Sequence, residues 1–598
     1  MPKVWRFLPF DSGYVRGLSA ELNISPVLAQ VLVARGYRTA GDSSAFLNPK
    51  LTELHDPELL PGVPEAADRI VAAVQAGRRI TIYGDYDVDG VTATSLLWHC
   101  LKLASANVDY YVPHRLEEGY GLNCDALRKF HAEDPARLVV TVDCGIASVA
   151  EAELARELGL ELIITDHHNF THTLPPAACL VHPRLPGGAY PFGDLCGVGV
   201  AFKLAWGVCQ RLGDGKKASP RMRDFLISSI GLAAIGTVAD VVPLVGENRI
   251  IVRFGLNSLR ERSSLGLKAL LRIAGLEQKQ SLLAEDIAFS IAPRINAAGR
   301  LGQARLAVEL LTTESADRAT VLAEYIDQQN KVRQTVERKV FKQAKELVEA
   351  NPAWEEQGAL VLAHPEWHAG VIGIVANRVA EHYQKPAVLI SLNREDGIGQ
   401  GSARSFANFD LFAGLSACAE HLATFGGHQY AAGLRVQSDR IDIFRIEFGR
   451  YVTANHDVHS RDLELHIDAE VRLADLTHRA VTELDRLGPF GRSNPRPVFA
   501  CARVELAEPP RKIGGGERHL SLKVRQHGRT MRGVSFGHAD WADEMVADQP
   551  ISISFAPSIN SYCGQENVEI QVIDWKPEPA GRPPELAGAV AAQPEAVP

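Results

Sequence analysis

Short apolar runs alternate with amphipathic stretches through the first half of the chain, and three of those runs end directly in acidic residues. The segments Arg79 to Tyr83, Leu138 to Val142 and Leu162 to Thr165 are rich in β-formers, and helical patterns such as Val91 to Ala104 lie between them. This alternation predicts a parallel sheet, and in open α/β sheets ligands gather at the carboxyl ends of the strands. Between Gly302 and Pro352 there is neither glycine nor proline, and Glu314 to Ala350 is rich in Glu, Lys, Arg, Gln and Ala. The pattern predicts a long, solvated helix of roughly 50 Å, enough to join two separately folded units. A second α/β unit is expected from about Gly358 to Thr453, with strands at Ala359 to Leu362 and Ala387 to Ile390. Beyond Leu463 the texture becomes all-β, with segments at Phe499 to Leu506, Leu520 to Val524, Thr530 to Phe536, Ile551 to Phe555 and Val568 to Trp575. Five such segments suggest a barrel of OB type.

Length and composition narrow this picture. A chain of 598 residues predicts three or four domains at roughly 150 residues each. Hydrophobic residues at 46% and charged residues at 23% are the balance of a soluble globular protein, and no stretch is expected to approach a membrane span. The first ten residues lack the apolar core and small-residue cleavage site of a secretory signal, so the expected compartment is the cytoplasm, with no membrane partner. Nine cysteines without a C-x-x-C suggest neither a disulfide framework nor a zinc ribbon; Cys144 and the others are read as small buried hydrophobes. The net charge of −9 argues mildly against a wholly basic nucleic-acid face, yet an acidic metal centre needs carboxylates and a few arginines can still hold phosphate beside it.

Four acidic motifs stand out. The first is Y-G-D-Y-D-V-D-G at 83 to 90, with Asp85, Asp87 and Asp89 at alternate positions just past a strand. Carboxylates so close repel one another, and a cation or protonation makes the arrangement tolerable in a partly dry cleft. A calcium loop is the competing reading, although the pattern runs on into a helix and lacks a Glu at its twelfth position. The others are T-V-D-C-G-I around Asp143, T-D-H-H with Asp166, His167 and His168, and I-G-T-V-A-D-V-V-P-L around Asp240. Any one Asp at a strand end is ordinarily a helix cap. Four motifs in this order carry far more information.

Together they resemble the motifs of the DHH phosphoesterase superfamily in their RecJ-type spelling. A-P-R-I-N-A-A-G-R at 292 to 300, G-S-A-R-S at 401 to 405 and G-G-H-Q-Y-A-A-G at 426 to 433 extend the resemblance across roughly residues 60 to 450. It implies a multidomain α/β fold: an N-terminal segment (1–60), a parallel-sheet DHH domain (61–300), a linking helix (301–352), a smaller DHH-associated α/β domain (353–455), a C-terminal OB-like β-barrel that binds nucleic acid (456–577) and a disordered tail (578–598). Carboxylates and imidazole without thiolate suit two Mn²⁺ or Mg²⁺ ions better than a structural Zn²⁺. By the resemblance, Asp143 bridges the ions, Asp87 serves the first, and Asp89, His167 and Asp240 serve the second. Asp85 stands nearby as ligand or support, because related phosphatases place a histidine ligand where this chain has Tyr83. Asp166 is expected to orient a ligand. His168 is expected to contact the scissile phosphate or assist proton transfer, a hydrogen-bonded structural role being the alternative.

For the substrate, the resemblance points to Arg115, Arg294, Asn296, Ser402, Arg404 and His428, with Gly426 and Gly427 allowing close backbone approach. In the barrel, Arg511, Lys512, Arg518, Lys523, Arg525, Arg529 and Arg532 suggest a groove for single-stranded DNA, and Phe499, Phe536 and Tyr562 are candidates for base stacking, each with a core role as the alternative. The implied activity is a metal-dependent 5′-to-3′ exonuclease on single-stranded DNA that releases mononucleotides in repair and recombination, working with a single-strand-binding protein and a helicase. Two rivals are a DHH phosphatase on short oligonucleotides or cyclic dinucleotides, which has no use for the terminal barrel, and a non-catalytic DNA-binding scaffold, which would give no products with Mn²⁺.

Overall fold

The strands Asn107–Tyr111, Arg79–Gly84, Leu138–Val142, Glu161–Thr165 and Cys179–Val181 lie side by side in that order, all parallel. The central three are buried along nearly their whole length, which is why they read as unbroken apolar runs rather than as alternation. The chain goes first to one side of Arg79–Gly84 and then to the other, so the order reverses between Arg79–Gly84 and Leu138–Val142. Crevices form at such a reversal, outside the carboxyl ends of the strands. The helices Val88–Leu103, Gly197–Arg211, Pro220–Ala239 and Gly246–Glu261 supply much of the core beside this sheet.

This computed structural model describes residues 3–114, 118–119, 121–170, 173–215, 217–392, 397–456, 464–546, 549–562 and 565–578. The chain divides into two compact units, one formed by residues 1–48, 463–488 and 496–598, the other by residues 49–462 and 489–495. The N-terminal segment expected at 1–60 is therefore divided between them. The tail expected to be disordered lies, beyond Glu578, outside the described residues.

Within the larger unit, the linking helix runs Ala316–Glu349. Its ends are anchored in different cores: Ala319, Leu322, Ala323 and Ile326 join the parallel-sheet domain, while Val340, Ala344 and Val348 join the next one. That second domain has a mixed sheet ordered Thr424–His428, Ala431–Gln437, Ile398–Arg404, Ala387–Leu392, Leu360–His364, in which only the last pair is parallel. One expectation needs correction. The helix Pro220–Ala239 is long and apolar enough to cross a membrane, but 56% of that window is buried inside the fold, the setting of a core helix.

In the smaller unit, the strands Phe499–Ile513, His519–Gln526, Arg529–Ser535, Gln565–Pro577 and Ile551–Tyr562 follow one another, and the last pairs back on the first to close a five-stranded barrel. Leu520, Leu522 and Val524 point inward and Lys523 and Arg525 outward, the alternation that betrayed the strand in the sequence. Phe499 is fully buried against Phe555, so its role is core and not base stacking; Phe536 is exposed and meets the edge of His519. The Tyr562 side chain lies outside what is described. Four of the seven basic side chains are paired with acids, Arg511 with Glu508, Lys512 with Asp543, Arg525 with Glu505 and Arg532 with Glu569, which leaves the outer face less positive than the bare sequence suggests.

Candidate metal centre

The reversal in strand order places two acidic strand ends next to each other. After Arg79–Gly84 the chain passes through Asp85 into the helix Val88–Leu103, which Asp87 caps: its Oδ1 accepts from the N–H groups of Asp89 (2.9 Å) and Gly90 (3.1 Å). The ordinary role of a strand-end Asp is thus real for Asp87, and it leaves the second oxygen for other work. Asp89 is buried, and both its oxygens accept backbone N–H groups at the start of the helix Gly197–Arg211, from Gly197 (2.6 Å) and Val198 (2.8 Å). A helix N-terminus favours a carboxylate there. Any side chain at Gly197 would collide with Asp143, its Cβ falling 2.3 Å from Oδ1.

Asp143 follows Leu138–Val142 with φ +64°, a left-handed conformation that non-glycine residues rarely hold. The neighbouring strand ends are braced by two bonds between Thr141 and Thr165. After Glu161–Thr165 comes Asp166, whose Oδ1 accepts from the backbone N–H groups of His167 (2.7 Å) and His168 (3.1 Å) and pairs with His168 Nδ1 at 2.7 Å, while Oδ2 accepts from Ile146 N (2.9 Å). Asp166 therefore aims His168 and shapes the loop that carries His167. Asp240 ends the helix Pro220–Ala239, where the helix dipole disfavours an anion, and the next residue, Val241, is β-branched with φ +57°. Strain at both Asp143 and Val241 borders the same cluster.

These residues converge. Ligand atoms of Asp85, Asp87 and Asp143 lie within 4.8 Å of one another, as do those of Asp89, His167 and Asp240, and those of Asp143, His167 and His168. His167 Nε2 stands 3.3 Å from Asp143 Oδ1, 3.6 Å from Asp240 Oδ2 and 3.9 Å from Asp89 Oδ2. Neither His167 Nε2 nor Asp143 Oδ1 has a hydrogen-bond partner among the described residues, although both atoms are buried. Buried polar atoms are ordinarily satisfied, and carboxylates around a neutral imidazole are the donor set of a divalent cation.

The electrostatics of the metal-free cluster point the same way. Burial and then the neighbouring carboxylates push Asp143 well above the usual carboxylate range. Burial, with Asp87 next, lifts Asp89 to about 7; burial, with Asp89 next, lifts Asp240 to about 8. Burial holds His167 neutral, at about 3. His168 behaves oppositely: burial would lower it, but the bond to Asp166 prevails and raises it to about 9, while Asp166, despite its burial, falls to about 2. Tyr83 is turned into the core, donating to Gly121 O, and is no ligand.

The substrate candidates are more scattered. Ser402 and Arg404 share one face of the strand Ile398–Arg404, and Arg404 Nη1 donates to Ser402 Oγ at 3.1 Å. Across the sheet, Arg404 pairs with Ala431 and Ala431 with His428, so His428 stands on the same rung two strands away, roughly 10 Å off. Gly427 has φ +142°, a region open to glycine, and its Cβ would fall 2.5 Å from Ala431 O. Arg294 is tied by Nε to Asp327 (2.9 Å) and by Nη1 to Ser290 O (2.6 Å). Asn296 is half-buried on the same helix, Ala292–Arg300. Arg115 lies outside the described residues.

Residues 79–230 match the DHH family, N-terminal domain, residues 356–454 the DHHA1 domain and residues 467–574 the RecJ OB domain. The single-stranded-DNA-specific exonuclease RecJ of Escherichia coli is 35% identical over 579 residues, covering 93% of this chain and 96% of the relative. That of Bacillus subtilis is 39% identical over 572 residues, covering 95% of this chain and 70% of the relative. This chain belongs to the RecJ family. A crystal structure of RecJ from Thermus thermophilus in complex with Mn²⁺ aligns over 98% of this chain and 81% of its own, at a TM-score of 0.81 and 32% identity.

Within this RecJ-family site, some supporting residues escaped the sequence reading. The N–H groups of Gly197 and Val198 hold Asp89; the signal was a glycine pair opening an apolar helix. His182 meets the His168 carbonyl through Nε2 (2.9 Å), and Arg184 Nη2 donates to the His167 carbonyl (2.6 Å). Arg492, on the short stretch 489–495, lowers the charge cost at Asp240 and donates to Val241 O (3.4 Å). Nothing in the local sequence announces those three.

Proposed function

We propose that this chain is a single-stranded-DNA-specific exonuclease that hydrolyses phosphodiester bonds from the 5′ end, releasing mononucleotides, in DNA repair and recombination. The observation that carries the reading is the convergence of Asp85, Asp87 and Asp143 beside Asp89, His167 and Asp240, with buried donor atoms left over for a cation. RecJ structures from Thermus thermophilus in complex with Mn²⁺ and with Mg²⁺ support the same choice of metal. Bound at these two groups, Mn²⁺ or Mg²⁺ supplies an activated water and neutralises charge on the phosphodiester.

The chain's own residues do the rest. Asp143, common to two of the ligand groups, is the candidate bridge, and the strained turn fixes its direction. Asp166 keeps His168 protonated at neutral pH, suiting it to donate to a phosphate oxygen or to the leaving group. Arg404 and Ser402, with His428 on the same sheet face, form a set of donors for a terminal 5′-phosphate. Of the barrel's basic residues, the exposed Arg518, Lys523 and Arg529, outside the four ion pairs, suit the backbone of a single strand. A helicase and a single-strand-binding protein are the expected partners, because the substrate must first be opened, and the cytoplasm is the expected compartment.

The test is to incubate end-labelled single- and double-stranded DNA and RNA with the protein and Mn²⁺ or Mg²⁺. Mononucleotides released only from single-stranded DNA, starting at the 5′ end, are the expected products. Cleavage confined to dinucleotides would favour the small-substrate phosphatase instead.

A further inference from the structure

The segment just before the A-P-R-I-N-A-A-G-R motif departs from α-helical geometry. Ile287–Ile291 is a π-helical turn running directly into the helix Ala292–Arg300. Such turns are rare and cluster at functional sites. Here Ile287 and Ile291 are fully buried in the main core, and Phe289, between them, is turned to the opposite side and is 78% exposed. It is the most exposed of the large hydrophobic side chains among the described residues. A phenylalanine held in water on a firmly anchored turn forfeits the burial that ordinarily justifies it.

Its surroundings say what it meets. The next residue, Ser290, gives its carbonyl to Arg294 Nη1, and Arg294 Nε bonds Asp327, which also pairs with the exposed Lys331 at 2.8 Å. Arg294 and Lys331 thus gather around Asp327, and Arg294 lies on the helix that follows the ring, while Asp286, before it, is paired with Lys279. The far end of the same helix abuts the metal centre: a Cβ on Gly299 would fall 2.2 Å from Tyr86 O, in the loop between Asp85 and Asp87. Arg300 Nη1 donates to Gly370 O at the start of the helix Ala369–Tyr383, so the helix bearing the motif lies where the two α/β domains meet. Ten residues separate Phe289 from Gly299, about 15 Å at a helical rise. An exposed aromatic at the head of the helix that leads to a phosphodiester-cleaving centre, that far from it, has the chemistry of a stacking surface for a nucleobase.

We propose that Phe289 is a base-stacking ledge that positions the single strand a few nucleotides from the scissile phosphate. The inference rests on the exonuclease reading above. Phe289 acts through the strand it holds, so it is a positioning residue, and its loss is expected in KM for long strands and not in kcat.

The test uses the full chain with Mn²⁺ and 5′-phosphorylated single strands, comparing the wild type with Phe289→Ala and Phe289→Trp. Phe289→Ala is expected to raise KM about tenfold, the scale of one lost base–aromatic stack, with kcat nearly unchanged, and Phe289→Trp to restore KM. A series of strands with a single abasic site at successive positions is then expected to show one position that raises KM for the wild type by a similar factor and has no such effect on Phe289→Ala. Equal KM for wild type and Phe289→Ala, or the same abasic profile in both, overturns the ledge while leaving the exonuclease reading intact. Absence of any strand degradation by the wild type would instead remove the reading on which it rests. The side chain is exposed, so the melting temperature of Phe289→Ala should match that of the wild type; a KM change accompanied by a collapsed melting temperature, without rescue by Phe289→Trp, also counts against the ledge.

Discussion

At Gly236 an added methyl group would meet three atoms at 2.6 Å: Asp89 Oδ1, Thr92 Oγ1 and Val198 Cγ1. Two of these three belong to the apparatus that aims Asp89, so the glycine of the G-T-V-A-D motif is required by space, not by backbone freedom. Gly236→Ala is expected to keep the fold, by circular dichroism, and to lower Mn²⁺ affinity or turnover by about 10- to 100-fold. Initial rates across a Mn²⁺ titration check it, and an unchanged titration would mean that Asp89 does not need this setting. The carboxylates make a second prediction. Asp89, Asp143 and Asp240 all stand above their ordinary range of about 4 in the metal-free fold. Folding therefore favours their protonated forms, and their contribution to metal-free stability should fall as pH rises from about 4 through about 7 to 8, opposed up to about 6.5 by His167, which the fold keeps neutral. Divalent ions should reverse that fall and release protons on binding, measurable by calorimetry in buffers of different ionisation heat. Flat metal-free stability between about pH 6.5 and 8, where His167 no longer opposes them, would contradict the burial of these groups.

The helix Gly197–Arg211 presents its N-terminus to Asp89, and its placement depends on a buried charge. Lys203 is fully buried, and Nζ donates to Glu247 Oε1 (2.6 Å) and to His55 O (2.6 Å), while Tyr190 also donates to Glu247. Glu247 lies in Gly246–Glu261, so the pair fastens two helices of the core. Lys203→Ala strands a buried carboxylate, and a loss of about 3 to 5 kcal/mol in urea unfolding is expected, together with weaker Mn²⁺ binding as the helix end shifts. A smaller loss in the double variant Lys203→Met, Glu247→Leu would identify the stranded charge as the cause. Elements of this kind were legible to different degrees. The central strands could be read because a buried parallel strand is one apolar run and its end is marked by Asp. The linking helix was legible from Glu314 to Ala350 because nothing in it breaks a helix. The π-helical turn was not, since Ile287 to Ile291 has the composition of any buried helix and the turn shows only in which side chain faces water. The acidic residues stood out as motifs, but their convergence into overlapping groups depends on a reversal of strand order that no local pattern encodes.

For the whole molecule, the least legible feature is which parts of the chain fold together. Residues 1–48 join 463–488 and 496–598, through contacts between residues more than four hundred positions apart. The strand Val4–Phe7 pairs in parallel with Glu464–Ile467, and Ser25 N donates to Glu483. Arg35 grips Asp468 with both Nε (2.7 Å) and Nη2 (3.3 Å), the pair being largely buried. Asp468 also accepts the Val498 N–H at the entry to the barrel, so one carboxylate joins the beginning of the chain to its end. The candidate metal ligands, by contrast, all lie in the other unit. If the two units melt separately, the two kinds of perturbation should separate in calorimetry. Arg35→Ala, which leaves Asp468 without its partner, is expected to cost about 3 kcal/mol and to lower one transition by roughly 6 to 12 °C. Mn²⁺ should raise the other transition alone, because ligand stabilisation acts on the unit that binds it. Binding of single-stranded DNA by Arg35→Ala should weaken above its lowered transition while Mn²⁺ binding persists. A single transition that moves with both perturbations would show instead that the barrel and the metal centre unfold as one, and the chain's division into two units would then be geometric without being energetic.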